Sequence, residues 1–126
     1  MQPSLLQSSS VRTGHGLSLP QQRAAFLIDS LGTQSRLAEL LEVSRSQPGR
    51  WSKGEETPSP AHARELIDLD HVVARVVSWL GSDMTMSWLN GPNAFLDGAR
   101  PIEVLRTRGS SEVIDALDAE MSGAFA

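Results

Sequence analysis

Apolar positions recur along this chain every three or four residues, and glycine, proline or a short polar turn separates each stretch from the next. Met1 to Leu19 has no such period, only a polar Gln/Ser stretch with Gly14 and Gly16, so residues 1–19 read as a disordered arm. A first helix is predicted from Pro20 to Leu31, with Pro in its first turn, Ala25, Phe26, Ile28 and Leu31 on its buried side and Gly32 as its stop. A second starts at Thr33 or Gln34 and carries an apolar stripe of Leu37, Ala38, Leu40 and Leu41, with Glu42-Val43 as the turn that follows. Ser44 is the expected N-cap of a third helix. Gln47 would complete its Ser-x-x-Gln capping box, Val43 would staple its first turn, Trp51 would anchor it and Lys53-Gly54 would close it.

Ser59-Pro60 is an N-cap followed by proline, and opens the longest predicted helix, Pro60 to Leu80, which Gly81 ends. Its apolar residues Leu66, Leu69, Val73, Val76 and Leu80 step by 3, 4, 3 and 4, an a/d seam about two heptads long that suits either an intramolecular core or a dimer surface. Beyond it, short helices are expected at Asp83 to Asn90, Asn93 to Leu96, Pro101 to Arg106 and Ser110 to Met121, punctuated by Gly91-Pro92, Asp97-Gly98, Arg100-Pro101 and Gly109. No segment alternates as a strand would. The fold class is therefore all-α: a helix-turn-helix lobe with a long central helix over residues 20–80, then a C-terminal bundle of short helices over 81–126.

Composition changes this picture in three ways. The chain has 126 residues, enough for one domain or two small lobes sharing a core. No apolar run approaches a membrane span, there is no signal-peptide h-region, and the absence of cysteine removes disulfides, thiolate nucleophiles and cysteine-based zinc sites. A cytoplasmic protein is expected. The net charge of −4 hides an uneven distribution: residues 1–54 sum to +3 and residues 55–126 to −7. A basic front and an acidic rear suit a protein that meets phosphate with one end and a different partner with the other.

Gln34 to Gly54 has the layout of a helix-turn-helix. Arg45, Ser46 and Gln47 would lie at the start of the recognition helix, where side chains reach base edges, while Arg50 and Lys53 suit phosphate and Gln34 joins them from the preceding helix. Leu37-Ala38, Val43-Ser44, Trp51 and Gly54 also resemble, in order and spacing, the Xre-type helix-turn-helix. Pro48-Gly49 departs from that pattern, and Gly49 costs the helix about 1 kcal/mol relative to alanine.

Further on, Trp88-Leu89, Pro92-Asn93, Leu96-Asp97-Gly98, Pro101 and Leu105 resemble the toxin-binding domain of Xre/MbcA/ParS antitoxins, and Gly109 and the terminal helix ending in Gly123 fit too. The two resemblances span residues 20 to 126. They imply an antitoxin of a toxin–antitoxin system, whose partner is a RES-domain, NAD-consuming toxin, blocked at its active site by the antitoxin's C-terminal region. They also imply binding of the operon's own promoter. Trp88, Pro92 and Asn93 would mark a rigid apolar turn on the toxin-binding side. The tail Met121, Ser122, Gly123, Ala124, Phe125 and Ala126 is small and apolar, able to thread a narrow cleft with Phe125 as anchor. A homo-oligomer or a toxin–antitoxin hetero-oligomer is expected.

Nothing in the sequence favours catalysis. His15, His62 and His71 lack metal-ligand spacing, His62 and His71 being nine residues apart, and they read as solvated or helix-packing residues. The carboxylate pairs Asp115 and Asp118, and Glu55 and Glu56, read as solvated faces. No phosphate loop or nucleophile motif is present, so the expectation is a non-enzyme without cofactor or metal. Two other readings remain open: a free-standing transcriptional repressor, and an adaptor that docks a partner without binding DNA.

Overall fold

The computed structural model describes residues 19–123, which form α1 (Leu19–Leu31), α2 (Gln34–Leu41), α3 (Gln47–Lys53), α4 (Pro60–Asn90), a 3₁₀ turn (Ala94–Leu96), α5 (Pro101–Arg108) and α6 (Ser111–Gly123). The all-α reading holds, and there is no strand among the described residues. The arm at residues 1–18 and tail residues Ala124, Phe125 and Ala126 lie outside them.

One core runs through both halves. Leu27, Leu31, Leu37, Leu41, Trp51, Leu66, Leu69, Val73, Val76, Leu89, Leu105, Val113 and Leu117 are among its buried members, so helices from the front and the rear of the chain close over the same α4. Leu66, Leu69, Val73 and Val76 are completely buried there, which settles the a/d seam as intramolecular; only Leu80 is half-buried. The α2 stripe is buried as expected. On α1 the buried face is Ala24, Leu27 and Leu31, with Ile28 half-buried, whereas Ala25 and Phe26 face outward. Residues 24–28 are all apolar, so periodicity alone selected no face, and the expected Ala25 and Phe26 were the wrong side of the helix.

Caps fix several boundaries. Thr33 Oγ1 accepts from Arg36 N at 3.1 Å and Ser59 Oγ from His62 N at 3.1 Å, each satisfying a first-turn amide that has no helical partner. Gly81 interrupts α4 as expected: at φ 81, ψ 170 it is non-helical and ends the first limb, and a second helical limb follows to Asn90, where the sequence reads as a separate helix from Asp83. The bend is latched to the front of the chain, where Ser82 Oγ donates to Ser30 O at 2.6 Å and Arg36 reaches both Leu31 O at 2.8 Å and Asp83 at 2.7 Å. A second tie crosses the molecule at Arg106 of α5, which meets Glu65 of α4 at 2.9 Å and Glu42 after α2 at 3.1 Å. Donating to the Glu65 carboxylate, and then to Glu42, raises the Arg106 pKa against the opposing effect of burial.

Two candidate binding surfaces

The first surface is the α2–turn–α3 span, Gln34 to Gly54. Glu42, at φ 57, reverses the chain after α2, and its amide and that of Val43 close the helix onto Glu39 O and Ala38 O. The expected Ser44 capping box does not form. A helix capped by Ser44 would take its first backbone bond from residue 48, and Pro48 has no N–H to give. The chain instead makes a tight turn, Gln47 N to Ser44 O at 3.1 Å, and α3 begins at Gln47 with Pro48 in its first turn and Ser46 as an N-cap whose side chain caps no backbone amide. Arg45 and Ser46 therefore precede the helix, both exposed.

Starting at Gln47 also decides what the polar side chains of α3 do. Gln47 Nε2 donates to Glu56 Oε2 at 2.6 Å, Arg50 Nε to Glu56 Oε1 at 2.9 Å, and the Trp51 indole N–H to Glu56 Oε2 at 3.3 Å. Arg50 is further held by Ser46 Oγ at 2.7 Å. Hydrogen bonds from Gln47, then Arg50, keep the Glu56 pKa below the ordinary value of 4.5. Glu56 is thus no idle solvated carboxylate, as its place in the sequence suggested, but the hub of this loop. Of the expected DNA-facing residues, Gln47 and Arg50 are engaged internally. Arg45 and Lys53 are exposed and have no ion pair among the described residues. Gln34 is exposed at the start of α2, and its side chain lies over Gly49 so closely that a Cβ there would displace it. The Pro48-Gly49 departure has a packing reason: Gly49 is where α2 meets α3.

The second surface is built on Asn93, one of two buried polar residues among the described residues. Its Oδ1 accepts from Phe95 N at 2.9 Å, its backbone O accepts from Leu96 N at 3.0 Å and Gly98 N at 2.9 Å, and its backbone N–H donates to Ala99 O at 3.1 Å. Its Nδ2 donates to Glu120 Oε1 of α6 at 2.6 Å, and the same oxygen accepts from Trp88 Nε1 at 3.0 Å. Trp88, Pro92 and Asn93 thus come together, with Glu120, around a cleft of about 220 Å³. Trp88 is half-buried and Pro92 exposed. Met121 is half-buried, its sulfur 4.0 Å from Arg75, which pairs with Asp118; Ser122 and Gly123 are exposed at the end of α6. Two residues that sequence reasoning passed over belong here. Glu120 gave no signal, because its role depends on a contact across the fold. Phe95 did: an aromatic residue in a three-residue turn between Asn93 and Asp97-Gly98 has little room to be buried, and it is 57% exposed.

No group of three or more His, Cys, Asp or Glu among the described residues could hold a metal ion, and none of their helices is long and apolar enough to cross a membrane. His62 packs against Trp51 with ring centroids 5.4 Å apart, a helix-packing histidine as expected; His71 is exposed, and His15 lies outside the described residues.

Comparison with known proteins bears on the second surface most. Residues 73–123 match the antitoxin Xre/MbcA/ParS C-terminal toxin-binding domain family, which begins within the first limb of α4 and includes the Asn93 loop and α6. Over 111 residues the chain is 24% identical to the mycobacterial cidal antitoxin MbcA of Mycobacterium bovis, covering 87% of this chain and 98% of that protein. The MbcA of Mycobacterium tuberculosis matches to the same extent. The fold is also that of a chain in the crystal structure of the M. tuberculosis MbcT–MbcA toxin–antitoxin complex, with a TM-score of 0.69, 24% identity, and coverage of 86% of this chain and 99% of that one.

Proposed function

We propose that this chain, a relative of the Xre/MbcA/ParS antitoxins that carries their toxin-binding domain over residues 73–123, is itself the antitoxin of a toxin–antitoxin pair. It acts by binding, not by catalysis. The observation that carries this reading is the coincidence of the family match with the rigid Trp88–Asn93–Glu120 face, a preformed surface rather than a reaction site. A preordered surface loses little conformational entropy on association.

Its partner is a RES-domain, NAD-consuming toxin. Trp88, Pro92 and Asn93 and the α6 end at Met121, Ser122 and Gly123 face it, with Ala124, Phe125 and Ala126 continuing into the mouth of its active site. The basic front, through Arg45 and Lys53 and with Gln34, Ser46, Gln47 and Arg50 around them, binds operator DNA and lets the protein repress its own operon. Blocking an active site needs shape fit and burial at its mouth, which this face provides without any catalytic group.

Co-expression with the product of the neighbouring gene, purification, and an assay of NAD loss test this directly. A stable complex that suppresses NAD consumption is the expected result; no complex and no suppression would refute it. Deleting residues 123–126 is expected to leave helicity and melting temperature unchanged while weakening neutralisation, and loss of fold in that variant would refute the tail as a plug.

A further inference from the structure

Resting on the antitoxin reading, we propose that Phe95 is the aromatic anchor of the toxin interface, seated in an apolar pocket of the toxin that is edged by Lys or Arg. Phe95 is 57% exposed to water, yet the backbone that carries it is held firmly. Its own amide is bound by Asn93 Oδ1, and the turn that carries it is closed at both ends by bonds between Asn93, Leu96, Gly98 and Ala99. Asp97, which follows the turn, is in the left-handed conformation at φ 57, so the chain reverses at once and leaves the ring at the tip. A local motif with this many bonds fixes the position of a side chain that contributes little to the core.

The surroundings specify the partner. On one side of Phe95 is the Trp88–Pro92 cleft; on the other is a cleft of about 360 Å³ walled by Asp97, Arg108, Glu112, Asp115, Ala116 and Ala119. Arg108 is paired with Glu112 at 3.2 Å, whereas Asp97 and Asp115 have no ion pair among the described residues. The ring therefore stands on a small-residue floor of α6 with uncompensated acid beside it. An aromatic knob with an acidic rim is complementary to an apolar pocket with a basic rim: the knob supplies affinity and the rim supplies steering. The surface also lies inside the matched toxin-binding region, which makes the toxin its occupant rather than a second copy, whose own rim would be equally acidic.

The test is binding of the full chain to the purified toxin encoded beside it, by calorimetry and by association kinetics at two salt concentrations. Phe95→Ala is expected to melt with wild type and to bind about 30-fold or more weakly. The double variant Asp97→Asn/Asp115→Asn is expected to associate several-fold more slowly and with less dependence on salt. Ala119→Arg obstructs the cleft from α6 without altering the turn, and should weaken binding even if Phe95→Ala disturbs the loop. Wild-type affinity in Phe95→Ala and Ala119→Arg would overturn this assignment while leaving the antitoxin reading standing. Failure of the wild-type chain to bind the toxin would remove both.

Discussion

Glu56 and Glu120 each gather the polar tips of one candidate surface, and the way they do it differs. Glu56 is five to nine residues from its donors Trp51, Arg50 and Gln47, and one of those donors is a cation. Glu120 is 27 and 32 residues from Asn93 and Trp88, and both are neutral. The first hub is therefore a local device that shapes one loop and neutralises an arginine. The second staples a loop to a distant helix. The front surface spends its polar groups on itself, whereas the rear surface uses them to hold an exposed aromatic ring in place. This contrast predicts different responses to mutation: damage at Glu56 should stay local and electrostatic, and damage at Glu120 should loosen tertiary structure.

The largest expected effect tests whether the two surfaces share one core at all. Trp51 is completely buried and packs on His62 of α4, so Trp51→Ala should destabilise the protein by about 3–5 kcal/mol. Since the buried cluster joins both halves, urea denaturation followed by far-ultraviolet circular dichroism and by the fluorescence of Trp51, Trp79 and Trp88 together should give coincident transitions. Separate transitions would break the comparison into two independent lobes.

Next comes the distant hub. Glu120→Ala leaves the Trp88 indole N–H and the Asn93 amide without their acceptor, and a donor left unsatisfied away from water costs about 1–3 kcal/mol. Amide hydrogen exchange should show the loss concentrated in residues 93–99, whose bonds radiate from Asn93. Unchanged protection there would mean that the loop holds itself and that Glu120 is incidental.

A smaller and purely electrostatic effect belongs to Glu56. Its folded pKa lies below its ordinary value of 4.5, so the folded state favours the ionised form. The stabilisation is complete above the unfolded value and is lost as pH falls through the lowered folded value. Glu56→Gln should therefore melt below wild type at neutral pH, with the gap closing in acid beneath pH 4.5. Added salt should narrow the gap as well, since both Glu56 and its partner Arg50 are partly exposed to water. A gap that persisted in strong acid would show that shape, not charge, makes Glu56 a hub.

These differences also mark what could be read from the chain. Local signals were legible: the α2 stripe, the Ser59 cap and the seam of α4 all follow from spacing and neighbours, and the start of α2 was placed to within a residue. Gly81 was legible as an interruption, though the helix resumes after it because Ser82, Asp83 and their partners on α1 and α2 hold the bend. Where several apolar residues adjoin, as at 24–28, sequence offered no way to choose the buried face. The Ser44 capping box failed because its own helix needed an amide that Pro48 lacks, a conflict visible in the sequence but outweighed there by the Ser-x-x-Gln pattern. Glu120 and the Arg106 bridge depend on contacts between distant elements and left no local trace.

The smallest effect isolates the one close approach on the front surface. Gly49 sits in the interior of α3, where glycine is about 1 kcal/mol worse than alanine, yet a Cβ would meet the end of the Gln34 side chain. Gln34 is exposed and flexible enough to turn away, so Gly49→Ala alone should change stability little, with the gain in helix propensity offset by the lost contact. Removing the obstacle should expose the gain: Gly49→Ala combined with Gln34→Ala should be more stable than Gln34→Ala by up to about 1 kcal/mol. The double-mutant cycle measures that coupling directly by urea denaturation. If both backgrounds respond identically to alanine at position 49, the two helices do not touch through Gln34, and packing against that side chain is not why a glycine stands there.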